Sequence, residues 1–304
     1  MTGLVTPDRH PSLPDPSAPL IPSGNLRRRT AVSRAVEAAA TTSAVLAVAL
    51  LAEVAYTVAH HGAGALSWSF LTHNENNGGI ANALVGTGVI VGFAALLAVP
   101  VGVLTGLYLT EFAGPKSRSA RVLKLVLDLL QGLPTIIVAV VVYGLIVLAE
   151  GKQTGFAGSV ALAIVMLPLI ARASQEVLLL VPNPLREAAD ALGVERWKTV
   201  LGVILPTAAG GIVTGAILAI ARAAGETAPL LLLDSIYNPS QTQIDIFGNG
   251  VPSIPMYIYT TYDLPSPTAL TQAWGAAFVL IVFILLANVG ARVLLARSRA
   301  KMMS

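Results

Sequence analysis

The chain has 304 residues, 55% of them apolar and only 12% charged, with a formal net charge of +3 and a mean hydropathy of +0.74. Soluble globular chains carry about 25% charged residues, so these figures exclude the ordinary soluble classes and indicate an all-α, polytopic membrane protein. Cysteine is absent, which rules out disulfide and thiol chemistry. The small positive balance is not a nucleic-acid signal, because the basic residues gather at the edges of apolar runs.

In chain order, residues 1–30 contain six of the 19 prolines and no apolar run, and end in Arg27, Arg28 and Arg29. They read as a disordered tail. They do not read as a secretory signal, because the first hydrophobic run starts too late and is too long. The remainder, residues 31–304, reads as one membrane domain. Its apolar runs are long and continuous, as spanning helices require, where barrel strands would be about 10 residues and alternating. A first span is expected near 36–59 and a second near 82–110, followed by a polar loop at 111–121. A third segment starts amphipathically at Val122, breaks at Gly132-Leu133-Pro134 and runs on to about Ala149. A fourth span is expected near 156–180, a fifth near 208–232 and a sixth near 273–295. A long loop at 234–272 carries Tyr237, Tyr257, Tyr259 and Tyr262. The glycines of the second and fifth spans, among them Gly86, Gly92, Gly102, Gly106, Gly211 and Gly215, would let helices approach closely.

Six spans place both termini on one side, and the charge pattern says which. Of the 19 Lys and Arg residues, 17 fall on one face of this topology; Lys152 falls on the other and Arg222 within a span. The positive-inside rule makes the basic face cytoplasmic. The loop at 181–207 is then cytoplasmic and the 234–272 loop lies outside.

The cytoplasmic loop contains the run NPLREAADALGVERWKTVLGVILP, residues 183–206, with six charged residues. It reads as a short helix that Asn183 caps, Pro184 opens and Gly193 stops. Ala188, Ala189 and Ala191 give it a small-residue face that another protein can approach.

Catalytic chemistry finds little support. His10, His60, His61 and His73 have no metal-ligand spacing with carboxylates, and there is no G-x-x-x-x-G-K-[ST] phosphate loop. The intramembrane charges are sharper. Arg222 falls about 15 residues, roughly 22 Å, into the fifth span. A charge there is costly and calls for a partner or a function. Glu226 is four residues on and within reach of it. A structural ion pair is one reading. An anion site is the other, since a guanidinium offers several donors in a fixed fork to an oxyanion. Arg172 and Glu176 repeat the i, i+4 spacing at the end of the fourth span, as snorkelling side chains or as an inner gate. The break at Pro134, preceded by Asp128 and Gln131, frees backbone groups that are tolerated only inside protein or beside water. It is either a packed kink or part of a path.

Glu187-Ala188-Ala189, then Gly193, then Leu205-Pro206 resembles the EAA loop of bacterial ABC importer permeases, E-A-A-x3-G-x9-I-x-L-P, with Val203 in the isoleucine position. Further stretches resemble the PstA-type permeases of high-affinity phosphate importers. They are residues 82–114, GLPTIIVAVVVYG at 132–144, residues 167–193, ARAAGETAPLLLL at 221–233, and the final AWGAAFVLIVFILLANVGAR. Thr135 stands where that family usually has serine. The resemblance implies a type I ABC importer permease fold in the plasma membrane. It implies phosphate passage past Arg222, with Glu226, Thr227, Arg172, Glu176, Pro134 and Thr135 along the pathway. It implies docking of an ATPase on Glu187, Ala188, Ala189, Gly193, Leu205 and Pro206. The implied partners are a second homologous permease, two ATPase subunits and an extracytoplasmic phosphate-binding protein seated on the outer loop. No cofactor is expected on this chain; ATP and Mg2+ are used by the ATPase. Another oxyanion (sulfate, molybdate or phosphonate), an ATPase-independent channel or carrier, and a sensor subunit are the alternatives.

Overall fold

The computed structural model describes residues 26–114, 116–236, 238 and 245–303. The chain divides into two units, residues 1–54 and 55–304. In the first unit the described part is the opening stretch of α1 (Leu26–Gly62), whose Val45, Leu46, Leu50, Leu51 and Val54 are exposed, as suits a helix bathed in lipid. The expected tail, residues 1–30, lies outside the described residues as far as position 25.

The second unit is built from helices, with no strand among the described residues. After the last stretch of α1 it contains α2 (Trp68–Thr72) and α3 (Ala81–Leu107), the latter prolonged by a π turn at Tyr108–Phe112. Next come α4 (Arg118–Gly132), α5 (Thr135–Val142), a π turn at Tyr143–Val147 and α6 (Leu148–Glu150). After α7 (Gly155–Leu179) come the short helices α8 (Asn183–Ala191) and α9 (Arg196–Thr199). A π turn at Val200–Ile204 leads into α10 (Leu205–Ala223), followed by α11 (Ala228–Leu233), α12 (Ile254–Tyr262) and α13 (Pro267–Met303).

Five helical stretches are long and apolar enough to cross a membrane: 28–65, 81–112, 155–179, 196–223 and 267–293. A sixth is obtained when α4 and the α5–α6 stretch, bent by 104° at the expected break, count as one span. Two expectations change. The fifth span begins at Arg196 and ends at Ala223, so it does not run through to 232. Pro229 has no N–H to donate, and its ring would strike the carbonyl of Gly225 in a continuous helix. The chain therefore breaks at 224–227 and restarts as α11 with Pro229 near its N-terminus. The sixth span begins at Pro267, not near 273, because proline is well suited to a first helical position. The outer loop is also less open than expected, since α12 lies inside it.

The centre of the unit is the packing of α3 on α7. Ile90, Ala94 and Ala98 meet Leu162, Met166 and Ile170 in the main core. Further along, Gly102 and Gly106 lie directly against Ile170 and Ser174, where an added Cβ would stand 2.8 Å from their side chains. Gly211 and Gly215 of α10 play the same part against Val177 and Ala173 of α7. Gly92, grouped with these by sequence, faces open space. Close backbone approach of this kind replaces the hydrophobic drive that lipid removes.

The described part of the outer loop is pinned to the turn before α7. Gln153 accepts from the Ser235 and Ile236 amides and donates to the Leu232 carbonyl, while the Gly155 and Phe156 amides donate to Asn249 and Ile246. Asp234 is fully buried; its Oδ1 accepts from the Val251 amide at 2.7 Å and its Oδ2 has no hydrogen-bond partner among the described residues. Burial pushes this carboxyl from 3.8 up to about 8, against the opposing pull of the Val251 amide.

Two outcomes follow from this packing. Gly106→Val should lower stability by about 1–3 kcal/mol through overpacking against α7, whereas Gly92→Ala should not lower it, as read from thermal melts in detergent. The folded state holds the Asp234 proton more tightly than the unfolded state. Its stabilisation is complete below about 3.8 and is lost as pH rises through about 8. Melts of Asp234→Asn, which keeps the acceptor for Val251, should show a flatter pH dependence over that window.

Candidate functional site

The predicted site residues fall in three places. The first is a junction of two chain breaks. Leu133-Pro134 interrupts one span and Ala224–Thr227 ends another, and α5 and α11 pack side by side. Pro134 precedes α5, and Thr135 is its first residue. Thr135 Oγ1 donates to Glu226 Oε2 at 3.5 Å across this junction. Glu226 Oε1 lies 3.9 Å from Nε of Arg222, in the last turn of α10. Glu226 follows the end of that helix, so the pair is made across a turn and not along one helix face. The carboxylate is 18% exposed and the guanidinium 64%. Arg222 is thus held at one edge and leaves most of its donors open. Thr227 opens α11 and lines a cleft of about 660 Å3 with Leu231, Tyr259, Tyr262 and Asp263.

The second place is the inner end of α7. Here Arg172 and Glu176, spaced i, i+4 along α7, do not meet: Arg172 is bonded to Asp128 of α4. The competing carboxylate comes from a neighbouring helix, which spacing along α7 does not reveal. Glu176 instead lines a separate cleft of about 520 Å3 between α7 and α10, with Val177, Thr207 and Gly211. The break thus brings together Thr135, Glu226 and Arg222, while Arg172 and Glu176 are not joined to one another.

The third place is the α8–α9 elbow. Glu187 and Ala188 are exposed, but Ala189 is buried, since neighbouring helix positions point about 100° apart. The outer face of α8 is therefore narrower than the three-residue patch. It is extended by Leu192, 81% exposed, and Trp197. Gly193 has φ +68 and turns the chain between the helices, a conformation that costs other residues roughly 1–2 kcal/mol. Asn183 is not the cap; Pro182 precedes the helix, and the Asn183 side chain accepts from Arg186. Leu205 and Pro206 open α10, and the π turn just before them is where Pro206 has no N–H to donate to Gly202. Tyr257 is buried, while Tyr259 and Tyr262 are exposed; Tyr237 lies outside the described residues.

One residue behind this elbow was hidden from sequence reasoning. Glu111, expected in a polar loop, is the fourth residue of the π turn that ends the α3 span, and its side chain is 0% exposed. Arg186 of α8 and Arg196 of α9 both bind it, at 2.7 Å and 3.2 Å. The sequence shows only a carboxylate at the end of an apolar run beside basic loops; its burial is not visible there.

Residues 98–300 match the model of the binding-protein-dependent transport system inner membrane components. The chain belongs to that family. It is a multi-pass plasma-membrane protein and a transport component. The phosphate transport system permease protein PstA 1 of Mycobacterium tuberculosis (strain ATCC 25618 / H37Rv) is 43% identical over 215 residues, covering 70% of this chain and 68% of the relative. PstA of Haemophilus influenzae is 36% identical over 256 residues, covering 82% and 89%. Two inward-facing crystal forms of the MetNI methionine ABC transporter superpose with TM-scores of 0.56 and 0.54. They share 21% and 22% identity, cover 77% and 72% of this chain, and are covered to 99% and 94% themselves. The fold is that of type I ABC importer permeases.

Proposed function

We propose that this chain is one membrane-spanning subunit of an ATP-driven phosphate importer. The observation that carries the substrate side is the open guanidinium of Arg222, steadied by Glu226 beside the Thr135 hydroxyl. A guanidinium presents paired donors to a tetrahedral oxyanion. Its carboxylate neighbour keeps the cation from binding the anion too tightly to release it. The 35–43% identity to phosphate transport permeases supports phosphate over sulfate, molybdate or phosphonate as the anion.

Coupling rests on the exposed face of α8. Glu187, Ala188 and Leu192 form a small, low-relief surface with an apolar knob, suited to the groove of a cytosolic ATPase. The basic loops place this elbow in the cytoplasm by the positive-inside rule. A second homologous permease completes the pathway, two ATPase subunits use ATP and Mg2+, and an extracytoplasmic phosphate-binding protein sits on the outer segment around α12. ATP closure draws the elbows together and reorients the two permeases, so that phosphate passes Arg222 and leaves inward.

In vesicles containing the complete importer, Arg222→Ala should lower ATP-driven phosphate uptake about tenfold or more, the effect of losing a charge-assisted hydrogen bond of roughly 1.5–3 kcal/mol. Uptake at the unaltered rate would remove Arg222 from the pathway. Ala188→Arg should abolish co-purification of the ATPase in mild detergent. An ATPase that still co-purifies would place docking elsewhere, and phosphate uptake by this chain alone would favour a carrier.

A further inference from the structure

We propose that Glu111 is the positioning residue that makes the α8–α9 elbow and the ends of two spans move as one body. The inference rests on the reading that α8 receives the ATPase.

The carboxylate is fully buried and is approached from two sides. Arg186 donates from Nη2 to Oε1 at 2.7 Å and from Nε to both oxygens at 3.3 Å. Arg196 donates from Nη2 to Oε2 at 3.2 Å and from Nε to the Glu111 carbonyl at 3.1 Å. Arg186 also donates to the carbonyls of Val181 and Leu178, at 2.7 Å and 3.0 Å, at the end of α7. Arg196 comes within 4.0 Å of Asp190 in α8. Four elements therefore meet at one carboxylate: the end of the α3 span, the end of α7, and both helices of the elbow.

Helix geometry explains how Glu111 reaches this point. In a regular α-helix it would lie roughly 140° around from Gly106, five residues earlier. The π turn at Tyr108–Phe112, whose bonds run i→i+5, turns it back toward the face of Gly106, which packs on α7. A carboxylate at the C-terminal end of a helix is disfavoured by the dipole, and a buried one is costly unless paired and hydrogen-bonded. Two guanidiniums supply both, and they also bond backbone carbonyls at the helix ends.

This arrangement suits transmission. The outer face of α8 is free of the cluster, so docking does not consume it. A push on α8 passes through Arg186 to the ends of α3 and α7, which are already packed together at Gly102 and Gly106. Without the carboxylate the elbow still docks but slips against the spans it should drive.

The test measures ATP turnover and uptake of inorganic phosphate together, in vesicles containing the complete importer. Glu111→Gln should assemble with the ATPase and hydrolyse ATP, while phosphate moved per ATP falls about tenfold or more, within the usual range of coupling between sites. Arg196→Gln, at a half-exposed position that makes fewer of the bonds to Glu111, should give a smaller loss of the same ratio. The double variant should be no worse than Glu111→Gln alone, because both break one joint. An unchanged ratio in Glu111→Gln, or losses that multiply in the double variant, overturns the proposal. Assembly, turnover and uptake falling in step in both variants overturns it too, since that marks a residue needed only for folding. The unaltered complex separates the two ideas: no bound ATPase there defeats the docking reading, whereas normal transport with a normal ratio in Glu111→Gln defeats only the joint.

Discussion

Within a bilayer every backbone N–H and C=O must find a partner inside the protein, so a spanning helix is interrupted only where other protein groups or water take over. This chain breaks two helices and sets the breaks side by side. At the first, the Leu133 amide still bonds the Leu129 carbonyl and the Pro134 carbonyl accepts from Ile137. At the second, the Gly225 and Glu226 amides reach back to Arg222 and Ala223, and the Leu231 amide reaches Thr227. These turns keep backbone groups bonded through both breaks, and the side chains gathered at the junction are polar: Thr135, Glu226 and Arg222. The prolines that interrupt these helices, Pro134 and Pro229, thus stand beside the place where the Thr135 hydroxyl meets the Glu226 carboxylate.

The other end of the molecule solves a different problem. A short amphipathic elbow cannot carry force unless it is fastened to the spans, and a loop of mixed charge offers little fastening in water, where exposed ion pairs are worth about 0–1 kcal/mol. The elbow here is fastened by withdrawing one carboxylate from water and surrounding it with two guanidiniums that also bond helix-end carbonyls. Between the two ends lies close glycine-mediated packing of α7 against α3 and α10, so α7 touches both the elbow and the spans that bear the breaks. The elbow and the break junction are separated along the fold but share this one helix.

Much of this was legible in the chain. Apolar run lengths predicted the spans, Gly132-Leu133-Pro134 predicted the bend, and the polar run at 183–206 predicted a helix with a turn at Gly193. The small residues at 102, 106, 211 and 215 predicted close packing, and only the direction of Gly92 escaped. The misses have a common form. Arg172 found Asp128 in place of Glu176, Ala189 faced inward, and Glu111 turned up buried at a helix end. In each case the side chain's partner lies on another element, and local spacing ranks only the neighbours on its own.

Composition, charge asymmetry and the placement of proline and glycine therefore determined that this is a polytopic helical membrane protein, where its helices stop, and which loops are basic. These are properties of a segment and its solvent, and each segment reports them alone. Only the tertiary structure decided which charges are paired. The Arg222–Glu226 contact is made across a helix end, and the Glu111 cluster depends on a π turn that redirects one side chain toward another helix. A change of winding over five residues costs little locally, yet it decides whether a carboxylate faces water or two arginines, so it could be settled only by the packing around it.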